Sequence, residues 1–275
     1  YRNNYFVKNL KKNNIKVIKG DIRNFKSVNM AMKGIDTCFH LAAINGTKNF
    51  YNLPKDVLDV GIRGQLNVLD SILNQNVKKF LFLSSSEVYQ NASKIPTDEN
   101  INLNFPNVHN PRYSYGGSKF ISEILTLNYL NNKIHKVIIR PHNIYGPKMG
   151  HDHVIPELIL KILNKSKNLK NKSAEIKILG SGKETRAFCY IDDAIDGIIT
   201  CYKKGKNNNI YNIGNNNEIS IIKLIELITK ILNIKIKVIK TKVSKGSCMR
   251  RCPSINKIKK LKFKNNFNLK DGLNL

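Results

Sequence analysis

The sequence predicts an α/β protein: a parallel sheet with helices packed on both faces. Three observations carry this reading. Short, continuously apolar runs recur that suit strands buried on both sides. Segments with apolar residues every three or four positions alternate with them, the pattern of amphipathic helices. No apolar run approaches the roughly 18 residues of a membrane span.

The elements follow in order. Lys16-Val17-Ile18-Lys19-Gly20-Asp21 reads as a short strand ending in a turn, and Cys38–Ala43 as a buried strand. Leu58, Ile62, Leu66, Leu69 and Leu73 mark one helix stripe. Lys79–Ser84 is the next apolar strand. A helix carrying Tyr115, Lys119, Ile121 and Leu125 follows, then Val137–Arg140, a strand stopped by Pro141. Beyond residue 146 the rhythm loosens. Pro156 suits the first turn of a helix over Glu157–Leu163. Asn164–Ser173 is a polar connection, and Ile176–Leu179 a strand before the turn Gly180-Ser181-Gly182. Ile221, Leu224, Ile225, Ile228, Ile231 and Leu232 form a second clear stripe. This predicts a smaller lobe from residue 147 onward, partly interleaved with the first.

Composition narrows the function. The chain has 275 residues, 41% hydrophobic and 24% charged, as in ordinary globular proteins. Its net charge of +28 raises the question of nucleic acid. Lys is spread along the whole chain beside abundant Asn and Ile. Its tracts are short and lack interleaved aromatics, so a composition-wide bias explains the charge and nucleic acid is not an expected partner. A basic, non-catalytic RNA-binding or structural protein stays as the alternative of another class. The five cysteines form no disulfide framework and suit a reducing, cytoplasmic setting. Cys248 and Cys252 have no neighbouring His or second Cys pair at zinc spacing, so no metal site is expected.

Tyr115-Gly-Gly-Ser-Lys119 is the chemical centre of the sequence. Four residues are about one helical turn, which puts phenol and ammonium on one face. A lysine cation there is expected to lower a phenol pKa that is ordinarily about 10. Ligands of open α/β sheets sit beyond the carboxyl ends of the strands. Three polar clusters fall there: Ser84–Tyr89, Tyr115 with Lys119, and Arg140–Pro147. Hydroxyl, phenol, lysine and carboxylate at one sheet edge make a proton-transfer site.

These pieces resemble the extended short-chain dehydrogenase/reductases, in particular the nucleotide-sugar epimerases, dehydratases and decarboxylases. The match runs through Gly20-Asp21-Ile22, His40-Leu41-Ala42-Ala43, Gly64–Leu69, Ser84–Tyr89, Tyr115-x3-Lys119 and Asn143-x-Tyr145-Gly146-Pro147. It continues through Gly180–Phe188, Tyr190–Asp193, Tyr211–Gly214 and Arg250–Pro253. The resemblance implies a Rossmann-like doubly wound parallel sheet in residues 1–146, holding NAD, and a smaller substrate lobe in 147–275. It implies that Tyr115 takes a proton from a sugar hydroxyl, helped by Ser85, while Lys119 holds the nicotinamide ribose. Asp21 and Ile22 would contact adenine, and Leu41, Ala42, Ala43 and His142 would line the cofactor path. Ser86, Asn143, Arg186 and Arg251 would bind the nucleotide-diphosphate sugar. Epimerisation through a transient 4-keto sugar is the leading expectation. Ser86-Glu87, with Glu87 as a further catalytic group, looks more like UDP-glucuronate decarboxylases and some 4,6-dehydratases. The family's habit implies a homodimer, through the helices near residues 57–75 and 115–131.

Two departures stand out. Gly61 replaces an Asn common in the family, and the family's Gly-x-x-Gly-x-x-Gly loop, which cradles the pyrophosphate, is absent. Tyr1-Arg2-Asn3 resembles the segment just past the second strand, so about 30 residues of a first βαβ unit, with its strands, are expected to be missing. The sequence also stops short of the family's usual final helix. A chain of this extent is expected to bind NAD poorly or fold unstably.

Overall fold

The computed structural model describes residues 10, 15–166, 174–242 and 248–275. In chain order its elements begin α1 (Phe25–Ala31), β1 (Thr37–His40), α2 (Thr47–Asn52), α3 (Pro54–Leu58), α4 (Gly64–Asn74), β2 (Lys79–Leu83), α5 (Tyr113–Tyr129) and β3 (His135–Pro141). They continue with β4 (Ile144–Tyr145), α6 (Val154–Ser166), β5 (Ala174–Leu179), β6 (Thr185–Ala187), β7 (Cys189–Tyr190), α7 (Ile191–Lys204) and β8 (Asn209–Ile213). The last are β9 (Glu218–Ser220), α8 (Ile221–Leu232), β10 (Ile236–Thr241), β11 (Arg250–Arg251), α9 (Asn256–Lys259) and α10 (Leu269–Asn274).

Strands β1, β2, β3 and β8 form one parallel sheet in that order. Successive side chains of a strand point to opposite faces. On β2, Phe80 and Phe82 enter a core with Val28, Leu69, Ile72 and Ile138. Leu81 enters the opposite one with Val137, Ile139, Ala194, Cys201 and Ile213. Both faces are covered, which is why these strands read as unbroken apolar runs. The fourth strand comes from beyond residue 146, so the later part of the chain returns to the first sheet. A further core cluster forms where Ile155, Leu158 and Ile162 of α6 meet Ile176 and Ile178 of β5 and Leu224, Ile225 and Ile228 of α8.

Most elements lie where periodicity puts them. Helix α8 shows why: Ser220 caps its start by accepting from the Lys223 amide, and Asn233 ends it in the left-handed region at φ 55°. Three expectations are corrected. Residues 16–21 form no strand, because no described residue ladders with them. The strand read over Cys38–Ala43 ends at His40. The stripe from Leu58 to Leu73 is broken by a π-helical turn, Asp59–Arg63. Its cause is a close approach: the Ser122 hydroxyl of α5 donates to the Gly61 carbonyl at 2.9 Å, and a Cβ on Gly61 would lie 2.6 Å from Ser118 Oγ. Residues 167–173 of the polar connection and the segment Tyr1-Arg2-Asn3 lie outside the described residues.

Candidate active site at the carboxyl edge of the sheet

The carboxyl ends of β1, β2 and β3 open on a cavity of about 480 Å³. Leu41 and Ala43 line it after β1, Ser84–Glu87 after β2, and Pro141 and Asn143 after β3. Helix α5 contributes Tyr115 and Lys119, and β11 contributes Arg251.

Tyr115 is buried and stacks on Phe50, with ring centroids 4.8 Å apart and planes 7° from parallel. Burial pushes its phenol up to about 12; a hydrogen bond with Ser85 pulls it down and the charge of Glu87 pushes it up. This reverses the lowering expected from Lys119. The reason is burial, and the ammonium does not turn to the phenol to offset it. Lys119 Nζ donates to the Leu83 carbonyl at 2.6 Å and lies 4.7 Å from the Phe82 ring centre, against 5.9 Å from that of Tyr115. Burial brings Lys119 itself down to about 7, with Glu123 opposing the fall.

The stretch after β2 is a capped turn. Ser85 Oγ accepts from the Glu87 amide at 3.1 Å and starts the 3₁₀ turn Ser86–Tyr89. Glu87 pairs with Arg251 at 2.5 Å and faces Arg112 at 3.8 Å. Burial alone would raise the Glu87 carboxyl; Arg251, Arg112 and Arg186 together hold it below the usual range. Glu87 is an anion, not a proton donor. Asn143 takes the left-handed conformation at φ 42°, which Asn tolerates, and its amide donates to the Ala187 carbonyl at 3.0 Å.

Five residues from the sequence reading do not line this cavity. The Asp21 carboxylate is exposed and taken by Arg23, whose Nη2 lies 2.7 Å away. Ile22 packs into the core beside α4. Ala42 is absent from the wall formed by its neighbours. His142 is fully buried behind it, 3.1 Å from Asn212 Oδ1 and beside Tyr89; burial drops its pKa to about 3, so the ring is neutral. Arg186 donates to the carbonyls of Thr185 and Cys248 at 2.7 and 2.8 Å, and reaches the site through its charge. Sequence reasoning also missed Arg112 and Glu123. Glu123 carried a usable signal: it comes after Tyr115 and Lys119 at the same four-residue step. No cluster able to hold a metal ion exists among the described residues.

The model of the NAD dependent epimerase/dehydratase family matches residues 1–214. The chain belongs to this family. It is 33% identical to a dTDP-D-glucose 4,6-dehydratase from Dictyostelium discoideum over 82% of this chain and 52% of that protein. It therefore spans about half the length of that relative. It is 28% identical to a UDP-N-acetyl-alpha-D-glucosaminuronate decarboxylase from Bacillus cytotoxicus, over 94% of this chain and 81% of that one. Among solved structures, a dTDP-glucose 4,6-dehydratase double mutant from Streptomyces venezuelae, with NAD and DAU bound, superposes with a TM-score of 0.86. That match covers 99% of this chain and 81% of the other at 22% identity, and it shows the Rossmann-like fold of the family. The epimerase/dehydratase family thus accounts for the parallel sheet and its flanking helices.

Proposed function

We propose that this protein oxidises a nucleotide-diphosphate sugar transiently at a ring hydroxyl, with NAD as cofactor and Tyr115, as its phenolate, as the group that takes the hydroxyl proton; the positive nicotinamide ring of bound NAD would lower a phenol that burial alone raises. The supporting observation is the convergence of Ser85, Tyr115 and Lys119 in one cavity wall. Bound NAD supplies the hydride acceptor for such a step. The residues present fit its nicotinamide end. Lys119 carries three N–H donors and spends one on Leu83, which leaves donors for a ribose diol, and Ala43 lets a flat ring approach. Ser85 holds the phenol, and the substrate hydroxyl is its natural third partner. Asn143 and Arg251 face the sugar nucleotide from the opposite wall, and Arg186 adds positive charge for the diphosphate. In this reading residues 1–146 with β8 hold the cofactor, and the rest of 147–275 binds substrate.

Epimerisation, the leading expectation from sequence, needs no further charged group. The Glu87–Arg251 pair favours a second reading, decarboxylation of a nucleotide-linked uronate. Once the ring carries a ketone at C4, the C6 carboxylate is β to it: the C5–C6 bond breaks, CO₂ leaves, the bonding pair forms the C4–C5 enolate, and C5 then takes a proton before the ketone is reduced again. Arg251 can receive that carboxylate, and anionic Glu87 disfavours its charge. Dehydration fits less well, because neither Ser86 nor an ionised Glu87 can protonate a leaving hydroxyl.

The exposed apolar residues Leu58, Ile121, Ile124 and Tyr129 on α3 and α5 support a homodimer through those helices. Unpaired cysteines support a reducing, cytoplasmic setting. No helix among the described residues is long and apolar enough to cross a membrane.

The test is to incubate the protein with UDP-glucuronate, UDP-glucose, GDP-mannose and dTDP-glucose and to read products by mass. Loss of CO₂ from the uronate supports decarboxylation; unchanged mass with altered ring stereochemistry supports epimerisation. No conversion of any nucleotide sugar overturns the proposal.

A further inference from the structure

The catalytic segment Ser84–Tyr89 is gripped at both ends by one buried ion pair. Glu123 lies one helical turn beyond Lys119 on α5 and is 3% exposed. Its Oε1 accepts from Ser84 Oγ at 2.5 Å and from Arg140 Nε at 2.8 Å, and its Oε2 accepts from Arg140 Nη2 at 2.6 Å. That fastens the start of the segment. Arg140 then donates through Nη1 to Tyr89 Oη at 2.8 Å, and Tyr89 donates to Asn212 Oδ1 at 2.8 Å. That fastens its end. Ser84, Tyr89, Arg140 and Asn212 are all buried. Lys119 grips the neighbouring residue, Leu83. Two consecutive turns of α5 thus hold two consecutive residues at the end of β2.

We propose that Glu123 is a positioning residue of the site: with Arg140 it sets where Ser85 and Glu87 stand relative to Tyr115 and Lys119. The proposal rests on the oxidation chemistry proposed above. A salt bridge of purely structural value would hold the fold and leave Lys119 chemically unchanged. Glu123 does more, because its carboxylate is the anion that favours protonated Lys119. The other groups around Lys119 do not replace it. Tyr115 on the same helix is a neutral phenol, and Phe82 and Leu83 of β2 offer a ring and a carbonyl. His40 of β1 is neutral, held near pKa 3 by burial and by Lys119 itself. Arg140 of β3 is a cation already matched by Glu123, and Glu87 is matched by Arg251.

The experiment measures the pH dependence of acetic anhydride labelling at Lys119 by peptide mass, alongside turnover. Glu123→Gln is expected to move the labelling midpoint down by about one pH unit, since a buried carboxylate one helical turn away is lost. Ser84→Ala is the uncharged control. It is expected to leave the midpoint in place while turnover falls about tenfold, as one end of the segment is freed. Should Glu123→Gln not fold with Arg140 unpaired, Glu123→Gln with Arg140→Met removes both charges and is expected to shift the midpoint in the same direction by less. An unmoved or raised midpoint in whichever variant folds overturns the proposal, as does full turnover in Ser84→Ala. The labelling needs no substrate, so failure of the oxidation reading shows separately, as absent turnover in the unaltered protein.

Discussion

The two walls of the cavity are built by different means. One wall is local. Tyr115 and Lys119 share a helix face four residues apart, and Ser85 stands directly after a strand end. The other wall is assembled across the chain, where Glu87 meets Arg251 over a separation of 164 residues. The local wall is nearly neutral, with a protonated phenol and a lysine near pKa 7. The distant wall is fully ionised, with three guanidinium groups around one carboxylate. Secondary structure thus places the groups assigned to the proposed oxidation step, and tertiary packing places those proposed to act after it.

The largest effect that would sharpen this contrast comes from the local wall. Lys119→Met is expected to abolish turnover and to stabilise the protein. The sign comes from the lowered pKa. Between about 7 and 10.5 the unfolded chain binds a proton that the folded chain does not. The penalty is full below pH 7 and fades as pH rises through that window. Removing the amine should add about 3 kcal/mol near pH 6, after allowing for the lost bond to Leu83, and much less above pH 10. Thermal melts of both proteins across pH check this; equal gains at both ends would contradict it.

The distant wall is expected to respond oppositely. Arg251→Gln leaves Glu87 largely buried with only Arg112 and the charge of Arg186 to offset it. It should cost about 2 kcal/mol by urea denaturation, with the Glu87 carboxyl titrating higher than in the unaltered protein. An unchanged denaturation midpoint would make the pair a surface contact.

The smallest effects test the seam between the walls. A Cβ at Gly116 would collide with the Gln90 side-chain amide and lie 2.7 Å from the Glu87 carbonyl. Gly116→Ala should therefore destabilise by about 2 kcal/mol and disturb Glu87. At Gly117 nothing lies within 4 Å, so Gly117→Ala should stabilise by about 0.8 kcal/mol through helix propensity alone. Equal effects at the two glycines would show that no such seam exists.

Legibility divided along the same line. Helical spacing showed Tyr115 and Lys119, strand periodicity showed Ser85 at a sheet edge, and family resemblance named Glu87, Asn143 and Arg251 singly. The hidden part was relational. No local pattern reveals that Arg251 neutralises Glu87, that Lys119 turns to Leu83 rather than to the phenol, or that His142 sits behind the cavity. The strand read into residues 16–21 failed for a related reason, since an apolar run becomes a strand only with a neighbour to ladder against. Gly116 and Gly117 are identical in sequence, and only packing separates them.

The most direct test of the central claim is turnover of UDP-glucuronate, resolved by mass, in the unaltered protein and in Tyr115→Phe. Conversion is predicted for the first, read either as loss of CO₂ or as altered ring stereochemistry at unchanged mass. For the second that conversion should be at least a hundredfold slower, on the order expected for a proton-transfer group. Near-equal rates for the two proteins would contradict the role of Tyr115.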